Sequence, residues 1–359
     1  ASKYRVDPQT GKNNYISVQA EDELAAVGMA IGANWNGARG FTATSGPGIS
    51  LMSEFLGLAY FAEVPLVIFN IQRGGPSTGM PTRTQQSDIL SCAYASHGDT
   101  KHVLLFPEDP QECFEFSAEA FNLAERLQTP VFVISDLDIG MNDWVTDKFE
   151  WDDEQKYDRG KVLKAEDLDK MDNFGRYLDV DDDGICYRTY PGTHPEKGAF
   201  FTRGTSHDEY ARYTENGDIN EQTLTRLVKK FRTASELVPD PIINLSEKQG
   251  SSGVIFYGSI SAAMYEAKDI LNENNIEVDL MRIRSFPFNL DVWEFIENHD
   301  LIYVIEQNRD SQMRTLIMAE GGISAEKLRS LVWFNGDPIQ AKFIAKKIYE
   351  RESQQALIT

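Results

Sequence analysis

Cysteine is scarce in this 359-residue chain: Cys92, Cys113 and Cys186 lie far apart, with no C-x-x-C pair and no histidine at zinc spacing. Three such residues cannot hold an iron–sulfur cluster or build a disulfide framework, so a reduced, cytoplasmic setting is expected. Apolar runs are short. None reaches the ~18 residues of a membrane helix, and no secretory signal is evident. Positive charge is also in short supply, with a formal net charge of −21. A field of that sign repels nucleic acid and anionic membrane surfaces, and neither is expected as a partner. Two phosphate-binding signatures are missing as well. No G-x-x-x-x-G-K-[ST] loop and no G-x-G-x-x-G turn occurs, and no lysine stands beside "TSGPG", residues 44–48.

What is present is ample apolar material, 41% of the chain with 11% aromatics, in a length that suggests two domains. Up to Asp136 helix and strand patterns alternate. Leu24, Val27, Gly28 and Ile31 share a helical face, and "GFTAT", "VPLVIFNIQ", "HVLLF" and "PVFVISD" read as strands. "SLMSEFLGLAYFAE" and "DPQECFEFSAEAFNLAERLQ" read as helices. Apolar strands alternating with helices predict a parallel α/β sheet covered on both faces. Residues 1–140 are expected to form that domain. Residues 141–240, charged, aromatic and rich in turns, read as an extended connector across the surface with one helix near "EQTLTRLVKKFRTASEL". A second, smaller parallel α/β domain is expected over 241–345, starting at "SGVIFYGS", with a tail over 346–359.

Two features compete for the "TSGPG" turn. Its glycines could simply permit close strand-to-helix packing, with Ser45 as helix cap. Upstream, however, "QAEDELAAVGMAIG" puts Glu23 at the start of a helix nine residues before Gly32, and the strand into "TSGPG" follows directly. The ordinary alternative is that Glu21, Asp22 and Glu23 favour a helix N-terminus. The arrangement resembles the pyrimidine-binding domain of thiamine diphosphate enzymes. That resemblance implies that Glu23 activates the cofactor by sharing a proton with its aminopyrimidine ring. It further implies that Thr44, Ser45, Gly46 and Pro47 pack beside that ring.

The segment "VPLVIFNIQRGGPSTGMPTRTQQSDILSCAYASHGD" closely resembles the alpha subunit of 2-oxoacid:ferredoxin oxidoreductases, especially the 2-oxoglutarate type. By that resemblance Arg73 lies near the substrate carboxylate, for which its planar fork suits bidentate binding. A surface ion pair is its ordinary alternative. Gly74, Gly75, Pro76, Ser77, Thr78 and Gly79 would form a loop over the active site, and His97 to Asp99 also match. "GRYLDVDDDGICYRTYPGTHPEKGAFFTRGTSHDEYARYTE" is similar to the family's connector, and "EQNRDSQM" with "MRIRSFPF" to its transketolase-C-terminal-like domain. The family carries an upstream "YPITP"-like motif that nothing in the 22 residues before Glu23 matches. With no initial Met, the chain is expected to be a fragment. The missing piece, together with the family's gamma domain, would lie on another segment.

The resemblance implies oxidative decarboxylation of 2-oxoglutarate with CoA to succinyl-CoA and CO2, with electrons passed to ferredoxin. In reverse this is a carboxylation. "HGDT", "NGDIN" and "NGDPI" lack the second Gly and the downstream Asn of the G-D-G…N motif. The diphosphate, its Mg²⁺ and the [4Fe–4S] cluster are therefore expected on a beta subunit, with the active site at the interface of a dimer of heterodimers. Pyruvate or a branched-chain oxoacid remains an alternative substrate. One further motif resembles a calcium loop: Asp179, Asp181, Asp183 and Gly184 copy positions one, three, five and six, but Tyr190 stands where the bidentate Glu belongs. A solvated acidic turn is expected there, and a calcium-responsive interaction module is the rival from outside enzymes. His194, His207 and His299 look isolated, with surface or capping roles.

Overall fold

The computed structural model describes residues 6–13, 15–152, 154–246 and 252–356. In chain order the elements are α1 (Glu23–Trp35), β1 (Phe41–Thr44), α2 (Gly46–Phe61), β2 (Leu66–Gln72), α3 (Ile89–Ala93), β3 (Val103–Leu105), α4 (Pro110–Leu127), β4 (Pro130–Asp136) and α5 (Leu137–Met141). The connector carries α6 (Ala165–Asp169) and α7 (Gly217–Ala234). Then follow β5 (Ile242–Asn244), β6 (Ser252–Tyr257), α8 (Ile260–Glu273), β7 (Asp279–Ile283), β8 (Ser285–Phe286), α9 (Leu290–Glu297), β9 (Leu301–Glu306), α10 (Gln312–Gly321), β10 (Leu328–Val332) and α11 (Ala341–Ala356).

Two five-stranded sheets result, ordered β1-β2-β4-β3-β8 and β10-β9-β6-β7-β5. Every pairing is parallel except β3 with β8 and β5 with β7. The mixed α/β class expected from the alternating pattern is present. Strands β4, β6 and β7 are buried along their whole length, as strands covered on both faces must be. One apolar core joins the two sheets: Phe106 after β3 meets Tyr257 of β6 at 5.5 Å between ring centroids.

Three segments depart from the expected layout. "MRIRSFPF" splits, since β7 joins the second sheet whereas β8 crosses to the first, pairing Leu104 with Phe286. The connector does more than lie across the surface: Ile185, Ala234 and Val238 complete the core beneath α4. Helix α11 is continuous across position 345, because buried Ile344, Ala345 and Ile348 share one face spaced for a helix. Among the described residues no helix is long and apolar enough to cross a membrane.

Candidate functional site

Polar residues end the apolar strands of the first sheet. Asn70 and Gln72 close β2, Ser135 and Asp136 close β4, and all four are buried. Carboxyl edges of parallel sheets are where ligands bind in open α/β folds. At this edge Glu23 and the TSGPG turn meet. Asp22 caps α1, its carboxylate accepting from Ala25 N at 2.7 Å, and Glu23 is therefore the first helical residue. Ser45 occupies the N-cap position of α2 but makes no side-chain cap bond, and Gly46 and Pro47 begin the helix. Gly48 explains the motif: a Cβ there would overlap Thr44 Oγ1 and lie 2.8 Å from Glu23 Cγ. Only a glycine lets the Glu23 side chain and the Thr44 hydroxyl close on the helix backbone together.

Arg73 follows β2 directly and is half-buried, its Nε without a hydrogen-bond partner among the described residues. A surface ion pair does not account for it. The loop after it folds back: Gly74 N donates to Arg83 O at 2.8 Å, and Met80 N donates to Gly74 O at 2.7 Å. Gly79 has φ of 47°, and a Cβ there would overlap the Gly74 carbonyl oxygen. Pro76, Ser77, Thr78 and Gly79 stand exposed at the tip.

Several residues at this edge carry no sequence motif. Asp88 Oδ1 would lie 2.8 Å from a Cβ on Gly46, so its carboxyl rests against the start of α2. Asn70 Nδ2 donates to it at 3.2 Å, and Gln72 Oε1 accepts from its backbone N at 2.9 Å. Burial pushes the Asp88 carboxyl above its usual range, opposed by the Asn70 bond and the charge of Arg73. Farther along the edge, Asp136 accepts from Gln86 Nε2 at 2.9 Å and from Ser259 Oγ at 2.7 Å. The signal that could have exposed these residues is polar side chains ending otherwise apolar strands.

A cofactor presenting an aromatic ring and a substrate presenting a carboxylate both suit this edge. Here Gly48 admits the close approach of Glu23, and among the described residues Asn70 Oδ1 and Arg73 Nε have no hydrogen-bond partner. A cavity of about 600 Å³ is lined instead by connector residues such as Tyr177, Ile219, Gln222 and Arg226, and by none of Glu23, Ser45, Arg73 or Asp88.

The acidic turn is taken up by lysines. Lys161 Nζ lies 2.7 Å from Asp181 and 2.8 Å from Asp183, while Lys229 pairs with Asp179 and Asp182. Among the described residues no group of three or more His, Cys, Asp or Glu could hold a metal. Two histidines differ from expectation. His207 and His299 are buried, the latter 3.0 Å from Asp279 and bonded to Phe295 O at 2.7 Å. His194 is a cap, its Nδ1 accepting from Glu196 N and Lys197 N. His97 faces Glu54 at 3.5 Å on the surface.

The family described as pyruvate flavodoxin/ferredoxin oxidoreductase, thiamine diP-binding, matches residues 5–233. The subunit alpha of 2-oxoacid:ferredoxin oxidoreductase 1 from Sulfurisphaera tokodaii is 36% identical over 342 residues, covering 92% of this chain and 52% of that protein. The 2-oxoglutarate synthase subunit KorA of Methanothermobacter thermautotrophicus is 35% identical over 304 residues, covering 82% and 76%. A solved 2-oxoglutarate:ferredoxin oxidoreductase from Magnetococcus marinus, with 2-oxoglutarate, coenzyme A and succinyl-CoA bound, superposes with a TM-score of 0.84 at 28% identity, covering 96% of this chain and 58% of that one. The chain spans about half the length of the 2-oxoacid:ferredoxin oxidoreductase alpha subunits it matches.

Proposed function

From the premise that the chain belongs to the thiamine diphosphate-binding pyruvate flavodoxin/ferredoxin oxidoreductase family, we propose that it serves as the alpha subunit of an enzyme that decarboxylates 2-oxoglutarate oxidatively. The products are succinyl-CoA, CO2 and reduced ferredoxin, and the reaction is reversible as a carboxylation. The observation that carries this reading is the convergence of Glu23, the glycine-dependent TSGPG turn and the unpaired Arg73 on one carboxyl edge. Relatives named 2-oxoglutarate synthase favour 2-oxoglutarate over pyruvate. We assign residues 1–140 to pyrimidine binding, 141–240 to the connector and 241–345 to a transketolase-C-terminal-like unit.

Thiamine diphosphate, when bound, supplies a nucleophilic carbon and an electron sink for decarboxylation. The chain's own residues do the rest. Glu23 shares a proton with the aminopyrimidine nitrogen, with Thr44, Ser45, Gly46 and Pro47 packed beside the ring. Arg73 binds the substrate carboxylate through its fork of N–H donors, and residues 74–79 cover it and exclude water. A beta subunit holds the diphosphate, Mg²⁺ and the [4Fe–4S] cluster, with CoA entering as substrate and ferredoxin as electron acceptor.

The test is Glu23→Gln in the assembled enzyme, assayed with 2-oxoglutarate, pyruvate and branched-chain oxoacids. Loss of roughly 10²–10⁴-fold in kcat with the complex intact is expected. A variant that keeps its rate removes Glu23 from this role. A wild-type enzyme that ignores 2-oxoglutarate while turning over pyruvate removes the substrate assignment alone.

A further inference from the structure

At the opposite, amino-terminal edge of the first sheet, Arg176 and Arg188 of the connector are buried, 3% and 5% exposed. Both line a small cavity of about 10 Å³ with Trp35, Pro65, Tyr190 and Phe200, room for one water-sized occupant. Arg176 Nη2 donates to Glu63 O at 2.9 Å, and Arg188 Nη2 to Arg159 O at 3.1 Å and Tyr190 OH at 3.3 Å. Among the described residues Nε and Nη1 of Arg176 and Nε of Arg188 have no hydrogen-bond acceptor.

The neighbouring carboxylates are already engaged. Glu63 is held by Arg226 and by Lys230 at 2.8 Å. Glu125 is held by Arg39 at 3.2 Å and by Arg159, and reaches Arg188 only at 3.8 Å. Four nearly buried cations, Arg176, Arg188, Arg226 and Lys230, thus face two buried carboxylates. This surplus stands out in a chain whose net charge is −21. Burial pulls Arg188 below the usual guanidinium range, and the charge of Arg176 adds to it. A guanidinium cannot shed its proton to relieve such a site, and a buried charge needs a counter-charge. Water would satisfy the orphan donors and leave the surplus charge in place.

We propose that a monatomic anion of the size of chloride binds between Arg176 and Arg188. It completes their hydrogen bonding and pins the connector to the α2–β2 turn, from which Glu63 and Pro65 come.

Crystals of the assembled protein grown in bromide and measured at the bromine edge should show an anomalous peak within hydrogen-bond reach of both arginines. A peak without anomalous signal is water and overturns the proposal. In solution, melting temperature is compared in chloride and in gluconate at matched ionic strength. A rise of roughly 2–4 °C per tenfold increase in chloride above its dissociation constant is expected. Arg176→Met should lose that dependence and melt no lower than wild type in gluconate. If this variant does not fold, the wild-type titration and the bromide map still decide. A bromide peak with no chloride dependence of melting is an adventitious ion only, and overturns the structural role.

Discussion

Gly48→Ala separates a merely helical glycine from one required by the site. Alanine in a helix interior is favoured over glycine by about 0.5–1 kcal/mol, so propensity alone predicts a gain in stability. Against it stands a Cβ that overlaps Thr44 Oγ1 and presses Glu23 Cγ from 2.8 Å. Gly48 is buried between β1 and α1, and a Cβ there meets both neighbours at once. Overpacking of this kind costs about 1–3 kcal/mol, which outweighs the propensity gain. The larger effect should fall on the rate, because moving a reacting group by ~1 Å can cost ~10²-fold. Gly32→Ala is the internal control: it lies in the same α1, is exposed, and nothing stands within 4 Å of its would-be Cβ. Urea unfolding and oxoacid decarboxylation of the assembled enzyme should find Gly32→Ala stabilised by about 0.5–1 kcal/mol at full rate. Gly48→Ala should be less stable and nearly inactive. If the two variants behave alike, the argument that Gly48 seats Glu23 fails.

Two further predictions concern the surroundings. His102 is fully buried between the rings of Tyr60 and Phe132, and burial lowers its pKa to about 4. The unfolded chain takes up that proton first, near pH 6.5, so stability is lost as pH falls from about 6.5 to 4, by roughly 3 kcal/mol in total. His102→Phe should flatten this limb in urea titrations at pH 7 and pH 4.5. The comparison must be with wild type, since the raised carboxyls of Asp136, Asp138 and Glu306 act with the opposite sign. An unchanged limb would exclude His102 as its source. Arg83 pairs with Asp337 at 3.0 Å across the two halves of the chain, with both side chains more than half exposed. Arg83→Ala should therefore change stability by less than ~1 kcal/mol. It should nonetheless raise KM for the oxoacid, because this pair tethers the loop that follows Arg73. An unchanged KM would detach the loop from its proposed task.

Local patterns made the sheets legible, and long-range placement hid the rest. The apolar runs at 64–72 and 130–136 and the amphipathic stretch at 109–128 became β2, β4 and α4, because burial on both faces leaves an unbroken apolar record. Strand β10, "LRSLV", escaped notice because an edge strand alternates weakly and Arg329 faces outward. Strand β8 has two residues, and nothing in "SF" announces that it leaves one sheet for the other. Asp88 has no motif of its own. Its environment comes from Gly46 and Asn70, brought together by folding. The acidic turn copies a calcium loop through spacing alone, and what its sequence did not show is its neutralising residues, Lys161 and Lys229, which lie far from it along the chain.

The same division runs through the site. Glu23 and the TSGPG turn are assembled by consecutive elements, α1, β1 and α2, within 26 residues of chain, Glu23 to Gly48. The stretch that returns from the Arg73 loop is held from across the molecule. Gln86 N donates to Gln307 O at 2.8 Å, Asn308 Nδ2 donates to Gln86 O at 3.0 Å, and Gln312 Nε2 donates to Ser87 O at 2.6 Å. Gln86 also reaches Asp136, which Ser259 approaches from the second sheet. Burial raises the Asp136 carboxyl against the bonds from Ser259 and Gln86, as expected of a buried charge whose desolvation opposes its hydrogen bonds. What the junction fixes is position. The second unit sets where the loop returns and where Asp88 meets α2, so the Arg73 half of the site depends on it while the Glu23 half does not.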